Sequence, residues 1–199
     1  MTELAEVVSD AVEHGSGNRL NSTIALLVAI TATFTALCNV KDGNVVQAMA
    51  QDKAGAVDAW SYYQAKGTKQ NLAESTVDQL TLERDLRPEL SAELRARLER
   101  EITEYTARAQ RYAHEKEEIK AKAEGYEHDY DRLNLHDDQF DLAEALLSVS
   151  IALFGITALT RKRVLLGFGA VMAGFGLLFG LAGFLGWGLH PDFLTRLLS

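Results

Sequence analysis

The sequence predicts an all-α membrane protein with three transmembrane helices and a long antiparallel coiled-coil hairpin between the first and second. Three observations lead there. Leu20 to Val40 is free of charge and long enough to cross about 30 Å of hydrocarbon as a helix. Two more apolar runs, Leu142 to Thr160 and Val164 to Leu189, close the chain. Between them, Leu98, Ile102, Tyr105, Ala109, Tyr112, Lys116, Ile119, Ala123, Tyr126, Tyr130 and Leu133 recur in an unbroken four-three alternation. A seam repeating every 3.5 residues asks for a partner helix along its whole length.

The expected organisation is an acidic N-terminal segment over 1–19, a span over 20–40 and an extramembrane hairpin over 44–135 that turns near 86–89. Spans over 140–160 and 164–189 and a tail over 190–199 follow. The opening segment carries Glu3, Glu6, Asp10 and Glu13 before its apolar run. A secretory leader begins with positive charge, so a short amphipathic helix is expected instead. The first span shows Ala25, Ala29, Ala32 and Ala36 on one stripe, where another helix can come close.

After Lys41-Asp42-Gly43-Asn44, one helical face collects Val46, Met49, Val57, Trp60 and Tyr63. Gly55 and Gly67 weaken this arm by about 1 kcal/mol each relative to Ala. The break falls at Arg87-Pro88, since proline disfavours helix in the residue before it and suits the first turn of a new one. The arms, 44–87 and 88–133, are about 66 and about 69 Å long at 1.5 Å per residue. Equal arms on either side of a breaker describe a hairpin. Folding at that bond sets Tyr63 near Tyr112 and Trp60 near Lys116. Either a cation–π contact or a snorkelling lysine then fixes the register.

An acidic cluster precedes the second span. Asp129, Asp131, Asp137 and Asp138 define a candidate cation site, or an acidic pore mouth in an assembly. The plainer reading has Asp137 and Asp138 capping the next helix. The spacing matches no EF-hand or zinc pattern. The last span holds eight glycines, and Gly169, Ala173, Gly176, Gly180 and Gly183 form a four-three seam for transmembrane packing. Arg161-Lys162-Arg163 between the last two spans points to a cytoplasmic turn by the positive-inside rule. The N-terminus is then cytoplasmic and the hairpin periplasmic.

Trp60-Ser61-Tyr62-Tyr63-Gln64-Ala65-Lys66-Gly67-Thr68-Lys69-Gln70 resembles the W-x-x-Y-Q-A-K-x-x-K-Q signature of an uncharacterised bacterial membrane-protein family, domain of unknown function 4337. The resemblance extends to the first apolar run and to the Leu159-Thr160-Arg161-Lys162-Arg163 turn. It departs at the Gly-Thr after Lys66. It implies a multi-pass protein of the bacterial inner membrane with a helical middle region, and it brings no activity, cofactor or catalytic residue. Physically, Trp60, Tyr63, Gln64 and Lys66, with Tyr112 and Lys116 opposite, form either hairpin core or a contact patch of the kind enriched in binding hot spots.

The formal charge of −8 disfavours nucleic acid, whose phosphates need a concentrated basic surface. One cysteine, Cys38, rules out an internal disulfide and a thiolate metal cluster. No Ser/His/Asp set, phosphate-cradling loop or metal-ligand spacing points to an enzyme, and no cofactor is expected. The expected function is a non-enzymatic membrane scaffold that self-associates through its Gly/Ala-rich spans and coiled coil. Its expected partners are lipid, further copies of itself and a protein on the coil. Two other classes fit the pattern: an oligomeric cation channel with Asp137 and Asp138 at its mouth, and a Get-type membrane insertase. The second is opposed by spans without charge at mid-depth.

Overall fold

The computed structural model describes residues 19–189. The amphipathic segments expected before and after them lie outside the described residues. Three helices follow in order: α1, Arg19–Leu86; α2, Ala92–Thr160; and α3, Arg163–Leu185. There is no strand among the described residues. All three helices contain a stretch long and apolar enough to cross a membrane. The chain divides into two compact units, Met1–Met49 with Asp131–Ser199 and, separately, Ala50–Tyr130.

The unit formed by Ala50–Tyr130 is the hairpin, with α1 and α2 antiparallel. Its core is small: Ala56, Ala59 and Ala73 of α1 face Leu98, Ala109 and Ala123 of α2, all buried. Alanines let the two backbones approach, and the tyrosines of the four-three seam pack beside them half-buried. The connection differs from the expected one. Pro88 does not open the second arm. It lies in a turn closed by the Leu90 amide on the Arg87 carbonyl at 3.3 Å, and Arg95 Nη2 donates to the Pro88 carbonyl at 3.2 Å. Ser91 then caps α2, its Oγ accepting from the Leu94 amide at 3.3 Å, as a serine does before a first helical turn.

That longer turn changes the register. Mirroring the arms about the Arg87–Pro88 bond would set Gly55 against Lys120 and Lys66 against Ala109. Gly55 instead meets the Tyr126 ring, and Lys66 meets Glu115. Gly55 is therefore a socket for an aromatic ring rather than a weak point in its arm.

In the other unit the apolar stretches of α1, α2 and α3 pack on one another. Ile24 and Val28 of α1, Ile151 and Phe154 of α2, and Ala173 of α3 form one buried cluster. The α3 glycines are seats for large side chains. A methyl built on Gly169 would lie 2.8 Å from the Phe154 ring, on Gly176 2.7 Å from Leu147 Cγ, on Gly180 2.6 Å from the Phe34 ring, and on Gly183 2.7 Å from the Phe140 ring. Glycine is costly in a helix, and here close approach uses the space its missing side chain leaves. Buried hydroxyls bond back one turn, Thr35 to the Thr31 carbonyl, Ser150 to Leu146 and Thr157 to Leu153, which satisfies them without water. Arg161 takes a positive φ of 55° in the turn between α2 and α3. Gly186, at φ 69° and ψ 32°, ends α3 in the left-handed conformation that glycine adopts without a Cβ penalty.

Neither the Lys41-Asp42-Gly43-Asn44 stretch nor Asp137-Asp138 interrupts a helix. The expected capping role of the two aspartates is therefore corrected: there is no helix start for them to cap. An unbroken ladder keeps every backbone amide paired where a chain nears hydrocarbon, which outweighs the cost of one helical glycine, about 1 kcal/mol.

Candidate functional sites

Two groups of polar side chains stand out, one in each unit. In the hairpin, the residues singled out by sequence are mostly paired with one another. Trp60 Nε1 donates to Glu127 Oε1 at 2.8 Å, and its ring meets Tyr63 edge-on at 5.5 Å. The Lys66 ammonium bonds Glu115 between the rings of Tyr62, at 5.4 Å, and Tyr112, at 5.3 Å. That hydrogen bond holds the Glu115 carboxyl below its ordinary range and raises Lys66. Lys116 lies over Tyr63 at 5.4 Å, not over Trp60, because the turn at Arg87–Ser91 displaces the register. Lys53 sits likewise on Tyr130 at 5.2 Å. Gln64 is exposed. Lysine ammoniums seated on tyrosine faces, that of Lys66 anchored by Glu115 as well, fix how the arms pair.

The second group lies at the ends of the apolar stretches. Asn39 Nδ2 donates to Glu144 Oε1 at 3.2 Å. Gln139 is fully buried. Its Nε2 donates to the carbonyls of Trp187 at 2.8 Å and Leu189 at 2.7 Å, and its Oε1 lies 3.2 Å from His136 Nδ1. Gln139 thus ties down the chain just past the end of α3, where carbonyls have no helical partner. Asp42 faces Asp137, with Asp141 and Glu144 near by. Burial first, then the charges of Asp137 and Asp141, push the Asp42 carboxyl up to about 6. Burial also raises Asp137, ahead of the Asp141 charge. Asp42 Oδ1 is buried without a hydrogen-bond donor, so a shared proton is what relieves the pair.

Of the four aspartates in the candidate cation site, Asp131 is exposed while Asp129, Asp137 and Asp138 are half-buried. Among the described residues no group of three or more His, Cys, Asp or Glu side chains is arranged to hold a metal ion. Along α3, Gly169, Ala173, Gly176, Gly180 and Gly183 are all buried. Cys38 is buried too, with Sγ 3.0 Å from where a Gly180 methyl would sit. Sequence reading missed Asn39, Asp42 and Gln139. Their one local sign is a polar side chain at the edge of an apolar run.

The profile of the family described as Domain of unknown function (DUF4337) matches residues 20–186, from the first apolar turn of α1 to the glycine that ends α3. The chain belongs to this family. Searches of curated proteins and of solved structures give no match. For this DUF4337 chain, the two polar groups and the α3 seam supply the observations on which a function can be argued.

Proposed function

We propose that this protein is a non-enzymatic scaffold of the bacterial inner membrane that self-associates and presents its helical hairpin outside the bilayer. One observation carries the reading: the hairpin side chains with the most chemistry are engaged with one another. Trp60 is held by Glu127, Lys66 by Glu115 and Lys116 by Tyr63. Groups committed to such contacts stiffen a two-helix hairpin, and a stiff hairpin suits spacing and assembly. In this reading the Arg161-Lys162-Arg163 turn faces the cytoplasm and the hairpin the periplasm.

The α3 seam packs within the chain. Its glycines receive Phe34, Phe140, Leu147 and Phe154 of the same chain, so they hold the three helices together and assembly uses other surfaces. Light scattering of the purified full chain in detergent tests the proposal. A defined oligomer at micromolar concentration is the expected result, and a monomer overturns it. Ion flux through liposomes carrying the protein, abolished by Asp137→Asn and Asp138→Asn, would replace scaffolding with transport.

A further inference from the structure

The hairpin face of α1 that points away from α2 should be its most charged, since no described residue covers it. It carries no charge. Starting at Ala50 and stepping by four, three, four, four, three, four, three, four, three and four residues leads to Leu86. Each position on that path is exposed and none is Asp, Glu, Lys or Arg, although ten charged residues lie within 50–86. Four of the positions are large: Val57 is 59% exposed, Leu72 69%, Leu82 59% and Leu86 71%. The rest are Ala, Ser, Thr and Gln. The outward face of α2 is built in the ordinary way, with Arg100, Arg111 and Glu118 exposed along it. An uncharged stripe at helical period on the outside of a two-helix hairpin is a second packing face.

We infer that this stripe docks on the same stripe of a second copy of the chain, making a parallel pair through the first arms of two hairpins. The inference rests on the self-association proposed above and names its surface. Two arguments select the occupant. A stripe about 55 Å long at 1.5 Å per residue and about 10 Å wide covers about 500 Å² per copy. The pair then buries about 1,000 Å², the size at which a specific interface becomes credible. Charge is the second argument. A chain of net charge −8 repels its copies on most faces, and this stripe is a surface where that repulsion is absent. Two copies in one bilayer leave it in the same sense, which makes the pairing parallel and sets Leu72 against Leu72 and Leu82 against Leu82. In that register Lys53 faces Asp58 across the pair, and Asp78 faces Glu83. The first pair attracts and the second repels, each on both flanks by symmetry, so the apolar stripe carries the association.

Cysteine cross-linking of the full chain in membranes tests this. Leu72→Cys and Leu82→Cys should each give a covalent dimer with a short bismaleimide. Ala107→Cys, on the outward face of α2, should not, and the wild type reports any reaction through buried Cys38. Equal cross-linking at all three positions, or none at 72 and 82, overturns the inference. The double variant Leu72→Lys, Leu82→Lys alters exposed positions, and unchanged circular dichroism would certify its fold. Light scattering should show the oligomer lost, and mixing with Leu72→Glu, Leu82→Glu protein should restore a mixed dimer. An oligomer that survives the lysines shows that copies associate elsewhere, which sinks this surface and leaves the scaffold standing. A monomeric wild type sinks both.

Discussion

Gly174 and Gly176 lie two residues apart on α3 and should respond oppositely to the same substitution. Gly174 is exposed and a methyl there would meet nothing within 4 Å. A methyl on Gly176 would lie 2.7 Å from Leu147 Cγ, 2.9 Å from its Cδ2 and 3.2 Å from the Ala143 carbonyl oxygen. Leu147 is fully buried, and the carbonyl belongs to the α2 backbone, so neither can move aside freely. Both Gly→Ala changes gain the same helix propensity, about 1 kcal/mol. The difference between them therefore isolates the overpacking cost, about 1–3 kcal/mol. Thermal unfolding in detergent should put Gly176→Ala below Gly174→Ala by about 2–12 °C, at about 2–4 °C per kcal/mol for a chain of this size. Leu147→Ala alone should cost about 2–5 kcal/mol, and less in the Gly176→Ala background, where the methyl takes part of the vacated space. Equal shifts for the two glycines, or a more stable Gly176→Ala, would refute the close packing of α3 on α2.

The hairpin offers the same contrast. Gly67→Ala, whose methyl would reach only Lys116 Cδ at 3.9 Å, should stabilise by about 1 kcal/mol, while Gly55→Ala, 2.9 Å from the Tyr126 ring, should destabilise; urea titration reads both. Gln139→Leu removes the donor to the Trp187 and Leu189 carbonyls, at a cost of about 1–3 kcal/mol for buried acceptors left unpaired, and hydrogen exchange should show 186–189 opening first. Stability should also fall as pH rises from about 4 to about 6, because the folded-state pKa of Asp42, about 6, exceeds its unfolded value, so the folded chain binds the extra proton in that window. Two pKa units correspond to about 2.7 kcal/mol, which solvent screening at a half-buried site reduces to about 1 kcal/mol. Asp42→Asn should flatten the profile and raise the midpoint at pH 7.5, and an unchanged slope would show that the carboxylates do not interact.

The three apolar helices and the hairpin were legible because each rests on periodicity over many residues, where single exceptions average out. The register was not. It depends on how many residues the turn takes, and Ser91 and Leu90 compete with Pro88 for the helix start by hydrogen bonds worth about 1 kcal/mol each. A shift of a few residues preserves the heptad pattern of both arms, so the pattern cannot report it, yet it moves Lys116 from Trp60 to Tyr63. Gly55 was misread for a related reason: propensity scores a glycine within its own helix, whereas its value here is set by Tyr126 on the other arm.

The polar group at the ends of the apolar stretches was illegible for a different reason. Asp42 and Asp137 are far apart in sequence, and the local reading of each, a breaker at Gly43-Asn44 and a cap at Asp137-Asp138, assumes a helix boundary beside it. Both helices run through instead. Once they do, no helix terminus offers amides to these carboxylates, and packing α1 on α2 brings like charges together. Gln139, two residues on from Asp137, satisfies carbonyls at the end of α3, so its amide is committed and cannot serve the acid pair. A proton is then the simplest way to relieve Asp42, which makes this corner opposite in sign to the lysine–tyrosine ladder: burial and like charges raise the Asp42 carboxyl, whereas the bond to Lys66 holds Glu115 low, so acid favours the first contact and weakens the second.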